Sequence, residues 1–354
     1  MKKNRLPLLL LSLLLLITAL LFWNKQYTST QQQKDADFAV IDTAAVTKIF
    51  IADLDTTQVL LERSSSGWIV DGEHRASQAK IDVMLNTMLK LRVRAPVSKA
   101  SHDNVVSRMA GIAVKVEVYE IVPRINLFDR VKLFPREKLS KVYYVGDVPK
   151  DNLGTFMLKE GAKTAYIMYL TGFKGFVMSR YTPNPEDWRD HTIFSTRLND
   201  IESVKVEFNE EPWQSYRIDR INRLQYRLTR LADQHVYAAY DTLRLLNFLT
   251  SFSDLRFEAF LTDMPSPKKD SVIESPFLHR ITLVDNQGDT TAITTFTKKK
   301  FAEHLDIPEM LIPVDLDRMY ALVNNNRDFV LVQYFVFDKV LRPALYFEPG
   351  APEF

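Results

Sequence analysis

Apolar residues run without a charge from Leu6 to Trp23, and polar and apolar positions then alternate over most of the remaining chain. A helix over the first run would be about 27 Å long, close to the hydrocarbon thickness of a bilayer. Lys2, Lys3 and Arg5 precede it and only Lys25 follows closely, so the positive-inside rule predicts a cytoplasmic N-terminus with the bulk across the membrane. After Trp23 comes Asn24-Lys25-Gln26-Tyr27-Thr28, which lacks a small-x-small cleavage site. The run therefore reads as an uncleaved signal anchor rather than a cleaved signal peptide. Thr28 to Asp35 is polar and aperiodic, a short tether.

Beyond the tether the periods change. Ile49 and Ile51 alternate in a strand, Gln58 to Arg63 and Trp68 to Val70 flank a Ser/Gly turn, and the three segments predict a hairpin sheet. Ser77 then precedes Ile81, Met84, Leu85, Met88 and Leu91, one face of a helix. Further strands are expected over Ile112–Tyr119, Val142–Val145, Gly154–Leu158 and Ala165–Tyr169. The same succession restarts after Ile193. A strand runs through Val204 and Val206, a hairpin spans Tyr216–Asp219 and Leu224–Leu228, and a helix carries Leu243, Leu245, Leu246, Leu249 and Phe252. Strands at Phe277–Val284, Thr291–Phe296 and Met310–Pro313 follow, with Thr262–Asp270 as a loop. The offset is roughly 160 residues, an ordinary domain length.

The pattern thus predicts an α+β protein of two tandem similar units, each a mainly antiparallel sheet with one principal covering helix, after an N-terminal transmembrane helix. The expected divisions are residues 1–34 for cytoplasmic stub, anchor and tether, 35–190 for the first unit and 191–354 for the second.

The segment EDWRDHTIF, Glu186 to Phe194, packs acids, arginine, histidine and tryptophan together at that boundary. Arg189-Asp190 is followed ten residues later by Asp200, and Arg327-Asp328 ten residues later by Asp338 and a closing strand expected over Ala344–Phe347. Only the Arg-Asp pair recurs, which suits structural junctions built on Trp188, Arg189, Asp190, Arg327 and Asp328 better than an acid/base centre.

Composition narrows the chemistry. With 46 basic and 44 acidic residues there is no global field for nucleic acid. Zero cysteines exclude disulfides, thiolate metal sites and cysteine nucleophiles. The histidines, His74, His102, His191, His235, His279 and His304, form no ligand motif, so no metal is expected. Ten glycines include no phosphate-cradling loop, no G-x-S-x-G occurs, and no cofactor or catalytic residue is assigned. Paired carboxylates from distant positions stay open. Arg217, Arg220, Arg223, Arg227 and Arg230 recur every three or four residues. Read as a hairpin, they form an outward, solvated face balanced by acids, or a patch for an anionic partner such as an envelope polymer. Lys298-Lys299-Lys300 carries the same two readings.

Five segments together resemble the bacterial domain of unknown function 4340, in its short membrane-anchored form of the Bacteroidota type. They are DFAVIDTAAVTKIFI (Asp37 to Ile51), GWIVDG (Gly67 to Gly72), APVSKA (Ala95 to Ala100), YYVGDVPKDNLGTFML (Tyr143 to Leu158) and EDWRDHTIF. Pro123 to Lys138 departs from the compact hairpin usual there, as an extra loop or as longer strands. The resemblance carries no catalytic residues. It implies an envelope setting, since related domains accompany ABC transport systems linked to gliding motility. The expectation is an inner-membrane, single-pass protein with its bulk in the periplasm, a scaffold that contacts another envelope protein. An envelope hydrolase acting on glycan or peptide, and a lipid or small-molecule carrier, are the alternatives.

Overall fold

The computed structural model describes residues 13–18, 35–127, 131–223, 225–300 and 313–352. Of the expected anchor Leu6–Trp23, only residues 13–18 are among these; they are helical with exposed side chains, and the rest lies outside the described residues. No helix among the described residues is long and apolar enough to cross a membrane. The chain divides into two compact units, Met1–Asp190 and His191–Phe354. Both are α+β, with every strand pairing antiparallel among the described residues.

In the first unit, β1 (Val46–Ala52), β2 (Gln58–Ser64), β3 (Gly67–Val70) and β4 (His74–Arg75) form successive hairpins. Then come α1 (Gln78–Lys90), β5 (Leu91–Pro96), α2 (Lys99–Ile112), β6 (Val114–Leu127), β7 (Val131–Val145), β8 (Thr155–Lys159) and β9 (Tyr166–Leu170). The nine-stranded sheet runs β4-β3-β2-β1-β6-β7-β8-β9-β5. Alternation decides its faces. Val116, Val118, Tyr143, Val145, Met157 and Met168 turn to one side and pack with Ile81, Met84, Leu85 and Met88 of α1. Tyr144, Phe156, Leu158 and Ile167, one position out of phase, pack on the other side with Val105 and Met109 of α2.

In the second unit the order is β10 (Thr192–Phe194), β11 (Ile201–Phe208), β12 (Tyr216–Arg220), β13 (Tyr226–Arg230), α3 (Thr242–Thr250), β14 (Leu255–Arg256), β15 (Ala259–Phe260) and α4 (Ser266–Glu274). β16 (Phe277–Asp285), β17 (Thr290–Phe296), β18 (Arg318–Val323), β19 (Asp328–Gln333) and α5 (Tyr334–Phe337) complete it. Its eight-stranded sheet runs β13-β12-β11-β16-β17-β18-β19-β15. Leu245, Phe248 and Leu249 of α3 are buried in the larger core with Val204, Val206, Ile281, Ile293 and Val330. Each such side chain contributes about 1.5–3 kcal/mol by leaving water. Val272 and Ile273 of α4 pack with Phe296, Tyr320, Leu322 and Phe329 in a smaller core.

Three expectations are corrected. Each unit carries a second helix, α2 or α4, packed over a smaller core; α4 falls where Thr262–Asp270 is expected to be a loop, because Pro267 lies in its first turn, where proline starts a helix rather than breaks one. Ala344–Phe347 is a 3-10 turn and not a strand, since Ala344 and Phe347 both bury inward three residues apart. Pro123 to Lys138 takes the longer-strand alternative: β6 and β7 pair as far as Leu127↔Val131. The strand expected over Met310–Pro313 falls, up to residue 312, outside the described residues.

Candidate functional site

The boundary segment is a closure. Asn184 caps a 3-10 turn, Pro185–Asp187, by accepting the Glu186 N–H at 3.1 Å. The turn drives Trp188 into the first core, where it is 2% exposed and its indole N–H donates to the Thr182 carbonyl at 2.9 Å. Its carbonyl accepts the N–H of Ser77 at 2.7 Å. Ser77 occupies the N-cap position of α1 but makes no side-chain capping bond. Arg189 bridges to Ala76, and the Asp190 N–H donates to the Arg75 carbonyl at 2.8 Å. The next residue leaves the cluster: His191 stacks on Phe257 at 4.6 Å in the second unit.

Beside Trp188 lies a cavity of about 360 Å³, lined by Ala79, Val83, Met84, Lys80, Arg180 and Asp187 among others. Lys80, Arg180 and Asp187 already have partners. The Lys80 ammonium donates to the Asp187 carbonyl, and the Arg180 guanidinium donates to the Thr87 hydroxyl at 2.8 Å. The Asp187 carboxylate accepts the Thr182 hydroxyl at 2.6 Å.

The second unit closes with a different pair of residues from those the spacing suggests. The Phe347 carbonyl accepts the N–H of Asp241, the N-cap of α3, at 2.7 Å. Arg327 and Asp328 sit instead at the β18–β19 turn, where Asn324, Asn325 and Asn326 all adopt left-handed backbone with φ of 52°, 56° and 65°. Asparagine tolerates that region better than most residues. Asp328 accepts the Asn324 side-chain amide at 2.7 Å.

The arginine segment is the hairpin β12–β13, and the structure separates its five cations. Ile218 pairs with Leu228, while Arg217↔Thr229 and Asp219↔Arg227 fall on the opposite face. Arg217 donates to Asp219 at 2.6 Å. Arg220 stands on the core side of the hairpin and donates to the carbonyls of Asn199 and Leu198 at 2.6 and 2.5 Å. Arg230 makes a two-pronged contact with Asp233, whose hydrogen bond from the guanidinium holds that carboxyl down at about 2. Arg223 and Arg227 are exposed. Of the lysine triplet, Lys298 is buried against Asp315 at 2.6 Å and Lys299 bridges to Val314.

The loop Gly146–Gly154 between β7 and β8 shows why its residues are what they are. A Cβ on Gly154, whose φ is 126°, would lie 2.6 Å from the Met168 carbonyl oxygen, so only glycine lets β8 start this close to β9. A Cβ on Gly146 would meet the Met109 side chain of α2 at 2.7 Å. Asp147 pairs with Arg108 of α2 at 2.9 Å, and Asp151 with Arg94 of β5 at 2.8 Å. The loop fastens both neighbouring elements to the sheet.

Comparison with known families matches residues 74–274 to the family described as Domain of unknown function (DUF4340). The chain belongs to that family. The matched span holds the Gly146–Gly154 loop and the Trp188 closure but leaves out two of the five segments that carry the resemblance, Asp37–Ile51 and Gly67–Gly72. Comparisons with curated proteins and with solved structures find no match.

Two further features of this DUF4340 chain are visible in sequence only as a histidine without a ligand motif and as extra length at Pro123 to Lys138. One is His279, edge-on to Phe208 at 5.4 Å with Nδ1 3.0 Å from the Thr295 hydroxyl; burial pushes its imidazole down to about 4. The other is the β6–β7 ribbon. β1 accompanies β6 only to Glu120, with one more bond from the Ile121 N–H to the Ala45 carbonyl, and β8 accompanies β7 only from Tyr143, with one more from the Glu160 N–H to the Val142 carbonyl; beyond these points, among the described residues, the two strands pair with each other alone. Ile121, Leu133, Phe134 and Leu139 on it are 47%, 43%, 66% and 41% exposed. No group of three or more His, Asp or Glu among the described residues could hold a metal ion.

Proposed function

We propose that this DUF4340 protein is a membrane-anchored periplasmic contact protein, an accessory or scaffold of an envelope complex such as an ABC transporter. The observation that carries the reading is the β6–β7 ribbon, which extends past both flanking strands and holds large apolar side chains in solvent. A folded unit gains no core stability from such an arm, and exposed apolar surface of this kind marks contact with a membrane or a protein. The anchor rests on the Leu6–Trp23 run and its preceding cations. Lys80, Arg180, Thr182 and Asp187 beside the Trp188 cavity are taken up by local hydrogen bonds, which favours a structural part over a catalytic one.

The two units also read as two copies of one design. Three hairpin strands, a principal helix, an end strand, a second helix and four more strands recur in order, and both sheets place them alike: β3-β2-β1-β6-β7-β8-β9-β5 against β13-β12-β11-β16-β17-β18-β19-β15. Each principal helix receives the same closing bond, Trp188 to Ser77 and Phe347 to Asp241. These correspondences support a tandem repeat whose copies diverged in surface, with the long ribbon in the first alone among the described residues.

Crosslinking of the full chain in its native cells, compared with a chain lacking residues 6–23, tests the reading. Reproducible capture of the same few envelope proteins, lost without the anchor, is expected. Equal capture with and without it would contradict the anchored contact role.

A further inference from the structure

We infer that the β6–β7 ribbon lies on the bilayer and binds anionic lipid, giving the first unit a second hold on the membrane. The inference deepens the anchored reading above and rests on it for its geometry.

The ribbon has two chemically distinct faces. The register pairs Tyr119 with Leu139, Ile121 with Glu137 and Pro123 with Pro135, which sets Ile121, Pro123, Leu133, Pro135 and Leu139 on one side, with Tyr119 and Glu137 beside them at the root. The alternate positions hold Glu120, Val122, Arg124, Arg136 and Lys138, with Phe134 opposite Arg124. Residues 121–138 contain five cations, Arg124, Arg130, Lys132, Arg136 and Lys138, against two anions, Asp129 and Glu137. Glu137 is already engaged, accepting the Thr47 hydroxyl at 2.7 Å and lying 3.6 Å from Lys48. An apolar face backed by Lys and Arg is the composition that seats amphipathic elements at the interface of an anionic membrane, the cations reaching back to headgroups. Pro123 and Pro135 withhold backbone donors, which makes the ribbon a poor template for another strand.

The chain enters the unit at the ribbon's root. Asp37 pairs with Lys141 of β7 at 2.7 Å, and the Ile121 N–H donates to the Ala45 carbonyl at 2.8 Å. Eleven residues separate Trp23 from Asp35. At most they span about 40 Å, while the ribbon from Ile121 to Leu127 is about 24 Å long. The apolar arm therefore starts within a tether's reach of the bilayer that the Leu6–Trp23 helix would occupy.

The absence of cysteine allows a direct test. The full chain carrying Leu133→Cys, labelled with an environment-sensitive fluorophore, is reconstituted into vesicles of phosphatidylcholine with phosphatidylglycerol, or of phosphatidylcholine alone. Leu54→Cys is the control. Leu54 is 61% exposed and follows Ala52, which pairs with Lys115 at the far end of β1 from the Val46–Glu120 pair at the ribbon root. The expected result is a blue shift and severalfold stronger quenching by brominated lipid at position 133 than at 54 in the anionic vesicles. Phosphatidylcholine alone should weaken it, and Arg124→Glu with Arg136→Glu should abolish it while the chain still floats with vesicles. A chain that floats but keeps an aqueous probe at position 133, or whose signal survives both charge reversals, overturns the lipid contact alone. Shielding that arises only on adding envelope proteins overturns it in favour of a protein partner. A chain that does not float overturns the anchored reading and this one together.

Discussion

The N–H of Ser77 points at the carbonyl of Trp188 across 2.7 Å, so the residue that opens the principal helix of the first unit is fixed by the residue that ends the unit. The first four N–H groups of a helix lack intrahelical partners, and this bond orders the backbone immediately ahead of them without any side-chain cap. The chain is thereby closed end to helix, and the indole beneath it fills the core.

Removing that indole is expected to cost about 3–5 kcal/mol, as for other buried aromatics replaced by alanine. Trp188→Ala should lower the denaturant midpoint of the first unit's unfolding, followed by the near-ultraviolet signal, with Trp188→Phe costing markedly less. Phe347→Ala should do the same to the second unit. Arg327→Ala, at a surface turn, should change stability within about 0.5 kcal/mol. If Arg327→Ala matched Trp188→Ala in cost, the spacing parallel between the two Arg-Asp pairs would be structural after all.

Gly154→Ala should destabilise more than Gly146→Ala. At Gly154 the new methyl meets a backbone carbonyl at 2.6 Å and a left-handed φ of 126°; at Gly146 it meets a side chain, Met109 Cγ at 2.7 Å, rather than backbone. The cost at Gly154 is expected to be about 1–3 kcal/mol. Thermal melts of the two variants side by side decide it.

His279 makes stability depend on pH. Burial lowers its folded pKa to about 4 from an ordinary 6.5, so the unfolded chain takes up a proton that the fold refuses. The stabilisation is complete above pH 6.5 and is lost as pH falls from there toward about 4, up to roughly 3 kcal/mol. His279→Gln should flatten that slope in denaturant titrations across the window; an unchanged slope would assign it to other groups.

Lys298 and Asp315 meet at 2.6 Å with both side chains only 10% exposed, and the backbone N–H groups of Asp317 and Arg318 complete the carboxylate's shell. Lys298→Met alone leaves a buried carboxylate without its cation and is expected to cost about 3–5 kcal/mol. The double variant Lys298→Met, Asp315→Leu should recover part of that loss, measured as a coupling energy in a double-mutant cycle.

Where one face of an element is consistently apolar, the sequence is enough to find it. Ile81, Met84, Leu85 and Met88 mark α1, and Val116 and Val118 mark their strand, because a single period dominates each. The second helices escape because each buries little: α2 commits Val105 and Met109, and α4 only half-buries Val272 and Ile273 among lysines and serines. The arginines of β12 and β13 mislead differently. Their spacing is visible, but Arg220 is turned inward to the carbonyls of Leu198 and Asn199, partners that only folding brings near. The Phe347 closure was hidden for the same reason: it is a backbone bond to Asp241 that no residue type marks. The ribbon shows as extra length in sequence, yet its two faces need the register of β6 against β7.

The most direct measurement of the anchored, periplasmic placement uses single cysteines in this cysteine-free chain. Gln287→Cys, in the exposed β16–β17 turn, is treated in cells with permeabilised outer membranes with a maleimide that cannot cross the inner membrane. Labelling is expected before the inner membrane is broken, with recovery of the labelled chain in the alkali-resistant membrane fraction. Labelling only after the inner membrane is lysed would contradict that placement.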